Sequence, residues 1–166
     1  MTSTAIQFVE QFTVACLCAL PLEATAIRAM LDEEYKECLH ISRQSQNAYI
    51  FGRIRNHRIV TTLIPQCGNT TAAAVATQLR NDFPRVKVCF LVGIGGGVLS
   101  ERTDIRLGDV VVSIPEGDSS GVVQYDLGRT FPNGRFERIG TLNKPPVILT
   151  GYSALLRSQG ERQLGE

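Results

Sequence analysis

Four glycines fall within five positions in Val92-Gly93-Ile94-Gly95-Gly96-Gly97-Val98. Such a stretch cannot be a helix interior, where each glycine costs about 1 kcal/mol relative to alanine. It suits a loop whose backbone turns sharply or lies against a ligand, offering N–H groups rather than side chains. A nearly unbroken apolar run, Val86 to Val92, leads into it. A buried strand entering a glycine loop is the usual layout of a small-molecule site in an open α/β sheet. The dinucleotide fingerprint G-x-G-x-x-G is not met, because the third glycine is misplaced and no helix pattern opens after it. The Gly-Lys-Ser/Thr of a phosphate-binding P-loop is absent as well.

Two further stretches could contribute chemistry. Glu23 falls about two residues into a helix pattern that follows an apolar strand pattern. Taken alone, it reads as a first-turn acid favoured by the helix dipole, by ~0.3–1 kcal/mol. Gly68-Asn69-Thr70-Thr71 begins a second helix after a strand. Asn69 or Thr70 can cap that helix, or its free N–H groups can hold an anion or a sugar hydroxyl. Asp104, Arg106 and Asp109 read as solvated or paired surface charges, and Tyr125 and Asp126 as part of a mixed-face edge strand. No metal site is expected. Cys16 and Cys18 would share a strand face, but neither His40 nor His57 has the spacing to complete a ligand set.

The elements that must position these residues follow from hydrophobic patterning. Thr13 to Leu20 is a continuous apolar run of strand length. Pro21 then opens a helix, with Leu22, Ala26, Ile27, Met30 and Leu31 at helical spacing through Glu34. Tyr35 to Gln46 is a polar connection. Asn47 to Arg53 and Arg58 to Ile64 form a hairpin turning at residues 54–57. A helix follows, with Ala72, Val75, Ala76, Leu79 and Phe83 on one face and Pro84 as its stop. Lys87 to Val92 is the central strand and Asp109 to Ile114 another buried one. Gly121 to Leu127 is β-prone, a short strand lies near Phe136, and residues 146–156 can be helical. Residues 1–12 are expected as a flexible lead-in, 13–156 as the domain and 157–166 as a loose tail. Strands alternating with helices imply an α/β sheet with some antiparallel members, although helices are scarce for covering both faces.

The 166 residues fit one domain, 43% hydrophobic and 20% charged. A net charge of +1 and a pI near 7.6 offer no electrostatic attraction for nucleic acid or an anionic membrane. Five cysteines, an odd number with no CxxC pair, point to reduced thiols. The N-terminus lacks the positive segment of a secretory signal, and the longest apolar run is far short of the ~20 residues that span a bilayer. A soluble cytoplasmic protein is expected.

In this order the motifs resemble the nucleoside phosphorylase-I (uridine phosphorylase-like) superfamily. The resemblance is closest to the fungal domains at the N-terminus of NACHT, ankyrin or TPR proteins. It is carried by Cys18-Ala-Leu-Pro-Leu-Glu-Ala24, Gly68-Asn-Thr-Thr-Ala-Ala-Ala-Val-Ala-Thr-Gln-Leu79 and Leu91-Val-Gly-Ile-Gly-Gly-Gly-Val98. Asp104-Ile-Arg-Leu-Gly-Asp-Val-Val-Val-Ser113, Gly121-Val-Val-Gln-Tyr-Asp126 and the segment from Gly134 to Asn143 extend it.

The resemblance implies a three-layer α/β/α sandwich on a mixed β-sheet and cleavage of a nucleoside N-glycosidic bond by phosphate or water. It places Glu23 where related nucleosidases carry a glutamate that orients the attacking water. It places Gly68, Asn69 and Thr70, together with Gly93, Ile94, Gly95 and Gly96, where the family builds its ribose and phosphate pocket. It implies a small-molecule nucleoside as partner, no cofactor other than phosphate as co-substrate, and a homo-oligomer as an option. An enzymatically inactive nucleoside-sensing or interaction module is the alternative.

Two departures stand out. Bacterial phosphorylases carry an arginine two residues before the glycine matching Gly93 and a Ser or Thr just after it. Here those places hold Leu91 and Ile94, neither of which can hydrogen-bond phosphate through its side chain. The family's later segment, with its ribose-holding Met-Glu and base-protonating Asp, has no counterpart here. A truncated domain is therefore expected.

Overall fold

The computed structural model describes residues 3–36, 45–98 and 104–163. The chain divides into two units, Met1–Gly96 and Gly97–Glu166.

The first unit is built on a five-stranded sheet. Its elements are α1 (Ser3–Val9), β1 (Val14–Cys18), α2 (Pro21–Met30), β2 (Glu33–Tyr35), β3 (Tyr49–Ile54), β4 (His57–Leu63), α3 (Asn69–Asp82) and β5 (Val88–Leu91). The strand order is β2-β3-β4-β1-β5. β1 runs parallel to both neighbours, with Val14 opposite Ile59 of β4 and Val88 of β5. β2-β3-β4 is antiparallel, so the sheet is mixed. The β3–β4 turn closes at Arg55, which adopts the left-handed conformation at φ 51°. The Asp32 carboxylate accepts from the Arg55 N–H at 2.5 Å and holds that turn.

Alternation along β1 sorts its side chains between two apolar layers. Ala15 and Leu17 pack with Phe51, Val60, Val75, Leu79 and Phe83 on the side of α1 and α3. Cys16 and Cys18 pack with Ala24, Ile27 and Ile59 on the side of α2. Helices therefore cover both faces, and this unit is the expected α/β/α arrangement on a mixed sheet.

Several local expectations need correction. Residues 1–12 are not a loose lead-in: α1 forms, Val9 is buried and Phe12 is fully buried. The helix after Pro21 ends at Met30, and residues 33–35, expected to finish that helix and start a surface connection, pair with β3 instead. The strand before the glycine loop is not central. β5 is an edge strand, with Phe90 and Leu91 41% and 75% exposed. An apolar run signals a capacity for burial, not a position in the sheet.

A buried carboxylate fastens the segment before β3 onto α3. Asp82 accepts from Ser45 Oγ at 2.6 Å, Tyr49 Oη at 2.7 Å and Gln78 Nε2 at 2.9 Å. Asn47 Nδ2 donates to Tyr49 Oη and to the Val75 carbonyl, both at 3.0 Å. Burial first, and the Asp82 hydrogen bond second, push the Tyr49 phenol upward, so it stays a donor. Tyr49→Phe removes one of three donors to a buried acid and should lower the unfolding free energy by about 1–2 kcal/mol, read as a fall in the urea midpoint.

In the second unit β6 (Gly128–Thr130) and β7 (Phe136–Arg138) form an antiparallel hairpin, followed by α4 (Val147–Gln163). Helix α4 extends past Leu156, so the tail expected to be loose from Arg157 is helical to Gln163. The strand expected at residues 109–114 does not form, and Val110, Val111 and Val112 are 88%, 71% and 60% exposed. Residues 121–127 form no strand either.

Candidate functional site

Three loops leave the same end of the sheet, because β4, β1 and β5 are adjacent and parallel. The ladder continues slightly past the strands: the Ile64 N–H donates to the Cys18 carbonyl at 2.7 Å and the Val92 N–H to the Leu17 carbonyl at 2.9 Å. The carboxyl ends of parallel strands form the crevice where open α/β sheets bind ligands. Here that end carries the Glu23 turn, the Gly68 loop and the glycine loop.

The Glu23 turn is set by local sequence. Pro21 occupies the first helical position, where its missing N–H costs nothing. Leu20 precedes the helix in extended conformation and has no side-chain acceptor for the orphan N–H groups. Glu23, at the third helical position, reaches back instead. Its Oε2 accepts from the N–H groups of Ala19 and Leu20, both at 2.8 Å. Its Oε1 accepts from the Ile94 N–H at 2.9 Å. One carboxylate thus ties the end of β1, the start of α2 and the glycine loop.

Glu23 is only 5% exposed, yet its carboxyl is held below the ordinary glutamate range. The Ile94 N–H bond is the largest cause and the Leu20 bond the next; burial opposes them and the Ala19 bond adds to them. The positive end of α2 works in the same direction. The group is therefore a carboxylate at neutral pH. A carboxylate of lowered pKa is a weak base, suited to orienting a hydroxyl or water rather than taking its proton. Oε1, with one protein donor, keeps capacity for another.

The neighbouring thiols are not nucleophiles. Burial, reinforced by the Glu23 charge, pushes Cys18 up to about 11. Burial, then Cys18 and Cys89, push Cys16 up to about 12. Both stay protonated at neutral pH. No group of three or more His, Cys, Asp or Glu able to hold a metal occurs among the described residues. Cys38 and His40 lie outside the described residues.

The structure brings together Glu23, Gly93 and Ile94. Gly95 and Gly96 lie beyond them with open space where a side chain would stand. Ile94 and Leu91 are 65% and 75% exposed and present only hydrocarbon. Gly68, Asn69 and Thr70 are exposed at the start of α3, and the hydrogen bonds of Glu23 run to Ala19, Leu20 and Ile94. The cap there is Gly68, at φ 142°, rather than Asn69 or Thr70, and no side chain caps the helix. The N–H groups of Ala19 and Leu20 were not foreseen as part of this site. The signal was Leu20-Pro21-Leu22-Glu23 itself, in which a glutamate three residues after a helix start commonly bonds the preceding backbone.

A family model described as Phosphorylase superfamily matches residues 13–161. The chain is also similar to a "Nucleotide-binding leucine-rich repeat (NLR)-like protein" of the fungus Hyaloscypha variabilis. The two are 36% identical over 157 residues, which is 95% of this chain and 16% of that protein. The chain thus spans about a sixth of the length of this relative. No solved structure matches it.

Proposed function

The chain belongs to the phosphorylase superfamily, and from that premise we propose that it acts on the N-glycosidic bond of a nucleoside at the crevice beside Glu23. The carrying observation is the Glu23 carboxylate, fixed by three backbone N–H groups at the carboxyl end of β1 and joined directly to the glycine loop. In this reading Oε1 orients a water toward the anomeric carbon. The C–N bond breaks as the C–O bond forms, and the proton lost by the water is balanced by one gained from solvent at the departing base nitrogen, giving free base and ribose. The negative charge of Glu23 favours an oxocarbenium-like transition state. Backbone N–H groups of the loop at Gly95 and Gly96, and those at Gly68 to Thr70, serve the sugar hydroxyls. Water is favoured over phosphate as nucleophile, because Leu91 and Ile94 supply no side-chain donor for a phosphate oxygen.

A second reading, nucleoside recognition without cleavage, is favoured by the commitment of both Glu23 oxygens to backbone donors and by the name of the NLR-like relative. Incubation with purine and pyrimidine nucleosides, with and without phosphate, separates the readings. The expected result is free base from at least one nucleoside without phosphate. Base release that requires phosphate would refute the preference for water. Calorimetric binding with no base from any nucleoside would replace catalysis by recognition.

A further inference from the structure

We infer that Gly93 is a positioning residue for Glu23: the carboxylate reaches the Ile94 N–H because position 93 carries no side chain. A Cβ on Gly93 would stand 3.1 Å from Glu23 Oε1, 3.6 Å from its carboxyl carbon and 3.9 Å from Oε2. Oε1 is the atom that accepts from the Ile94 N–H at 2.9 Å. The space a side chain would need is therefore already taken by the acceptor. Backbone conformation does not explain the glycine, since Gly93 is not among the glycines of positive φ. Alanine could adopt its backbone geometry, and the constraint is room alone.

The neighbouring glycines differ. A Cβ on Gly95 or Gly96 would meet nothing within 4 Å. One glycine of the loop thus makes way for the carboxylate, and the next two leave the space beyond it clear. With Glu23 seated, the Ile94 amide is tethered and the start of the loop has one position. With a methyl group at 93, either the carboxylate or the loop must give way by a few tenths of an ångström. The contact separates at the Ile94 bond, because Ala19 and Leu20 hold the other oxygen through a turn local to Glu23.

This inference deepens the proposed nucleoside site and rests on it for its chemical consequence, but its test needs no nucleoside. The side-chain carboxyl of Glu23 is titrated by carbon NMR in the full chain, in Gly93→Ala and in Gly95→Ala. The Gly93→Ala midpoint should rise toward the ordinary glutamate value as the Ile94 bond is lost, while the Gly95→Ala midpoint stays with the wild type. An unmoved midpoint in Gly93→Ala, or an equal rise in both variants, overturns the inference.

If Gly93→Ala does not fold, the Glu23→Ala background decides, because alanine at 23 vacates the contested volume. There Gly93→Ala should fold, with a thermal midpoint close to that of Glu23→Ala alone. Failure to fold in that background, or a large fall of the midpoint there, also overturns it. A domain that releases no base leaves either outcome standing, so the two failures are distinguishable.

Discussion

Phe12→Ala is expected to lower the unfolding free energy by about 3–5 kcal/mol, the largest single-residue effect foreseen on stability. Phe12 is fully buried. Its ring centroid lies 5.0 Å from that of Phe8, 5.3 Å from that of Phe51 and 5.7 Å from that of Phe83. These rings join the chain before β1, strand β3 and the end of α3. Truncation would remove both the transfer term and the edge-on aromatic contacts, and the space would not collapse because the sheet fixes its walls. Domains carry only about 5–15 kcal/mol of net stability, so the loss could be a large part of the total. Ile6→Ala, on the preceding α1 but 45% exposed, should stay within about 0.5 kcal/mol. Urea unfolding of the two variants checks the pair. Equal, small effects would show that the segment before β1 is peripheral.

For the proposed nucleoside cleavage, Glu23→Gln is expected to slow base release by roughly 10²-fold, the scale of loss when an orienting group misplaces the attacking atom. The physical reason is acceptor count. The carboxylate meets three N–H donors with two acceptor oxygens. A carboxamide has one acceptor oxygen and an NH₂ that must face at least one of those donors. With the oxygen toward Ile94, the amide opposes Ala19 and Leu20; flipped, it opposes Ile94. Either way an N–H at the site loses its partner.

The same substitution carries a pH signature. The folded Glu23 carboxyl lies below its ordinary value of 4.5. The charged form therefore contributes stability that is full above the unfolded value and is lost as pH falls through the folded one. The stability difference between wild type and Glu23→Gln should be largest near neutrality and shrink in acid below that value. Thermal midpoints of both proteins across this range provide the check, and a difference independent of pH would mean that the ionised carboxylate is not what holds the turn.

Legibility in the sequence followed the range of the interactions. β1, the β3–β4 hairpin and α3 could be placed because apolar runs, turn residues and helical spacing are local signals. Val75, Leu79 and Phe83 are buried as their spacing predicted. Helix α1 escaped because its element is only seven residues long, with no acidic residue in its first turn and no basic residue in its last; what orders it is packing of Phe8, Val9 and Phe12 against distant residues. The edge position of β5 and the exposure of Val110 to Val112 were hidden for a related reason. Apolarity does not say which strand will be a neighbour. Glu23 was visible as a first-turn acid and, by resemblance, as a site residue. Its bond to the amide of Ile94 was not, because nothing near Glu23 encodes a partner that far along the chain.

The order of the sheet also sets a timetable for synthesis. β1 is the first strand of this sheet to leave the ribosome, yet it sits between β4 and β5 and pairs with nothing nearer than Ile59. The β3–β4 hairpin can close as soon as it emerges, since its partners are adjacent. β1 must wait with both edges unpaired until β4 is available, and it keeps one edge open until residue 91. Non-local parallel pairing of this kind is slow and leaves strand edges open to wrong partners. A nascent chain halted between the hairpin and β5 would hold the Glu23 turn but have no Ile94 amide to meet it. The candidate site is thus completed only at the last strand of the sheet, and folding of this unit is finished in the same step that assembles its chemistry.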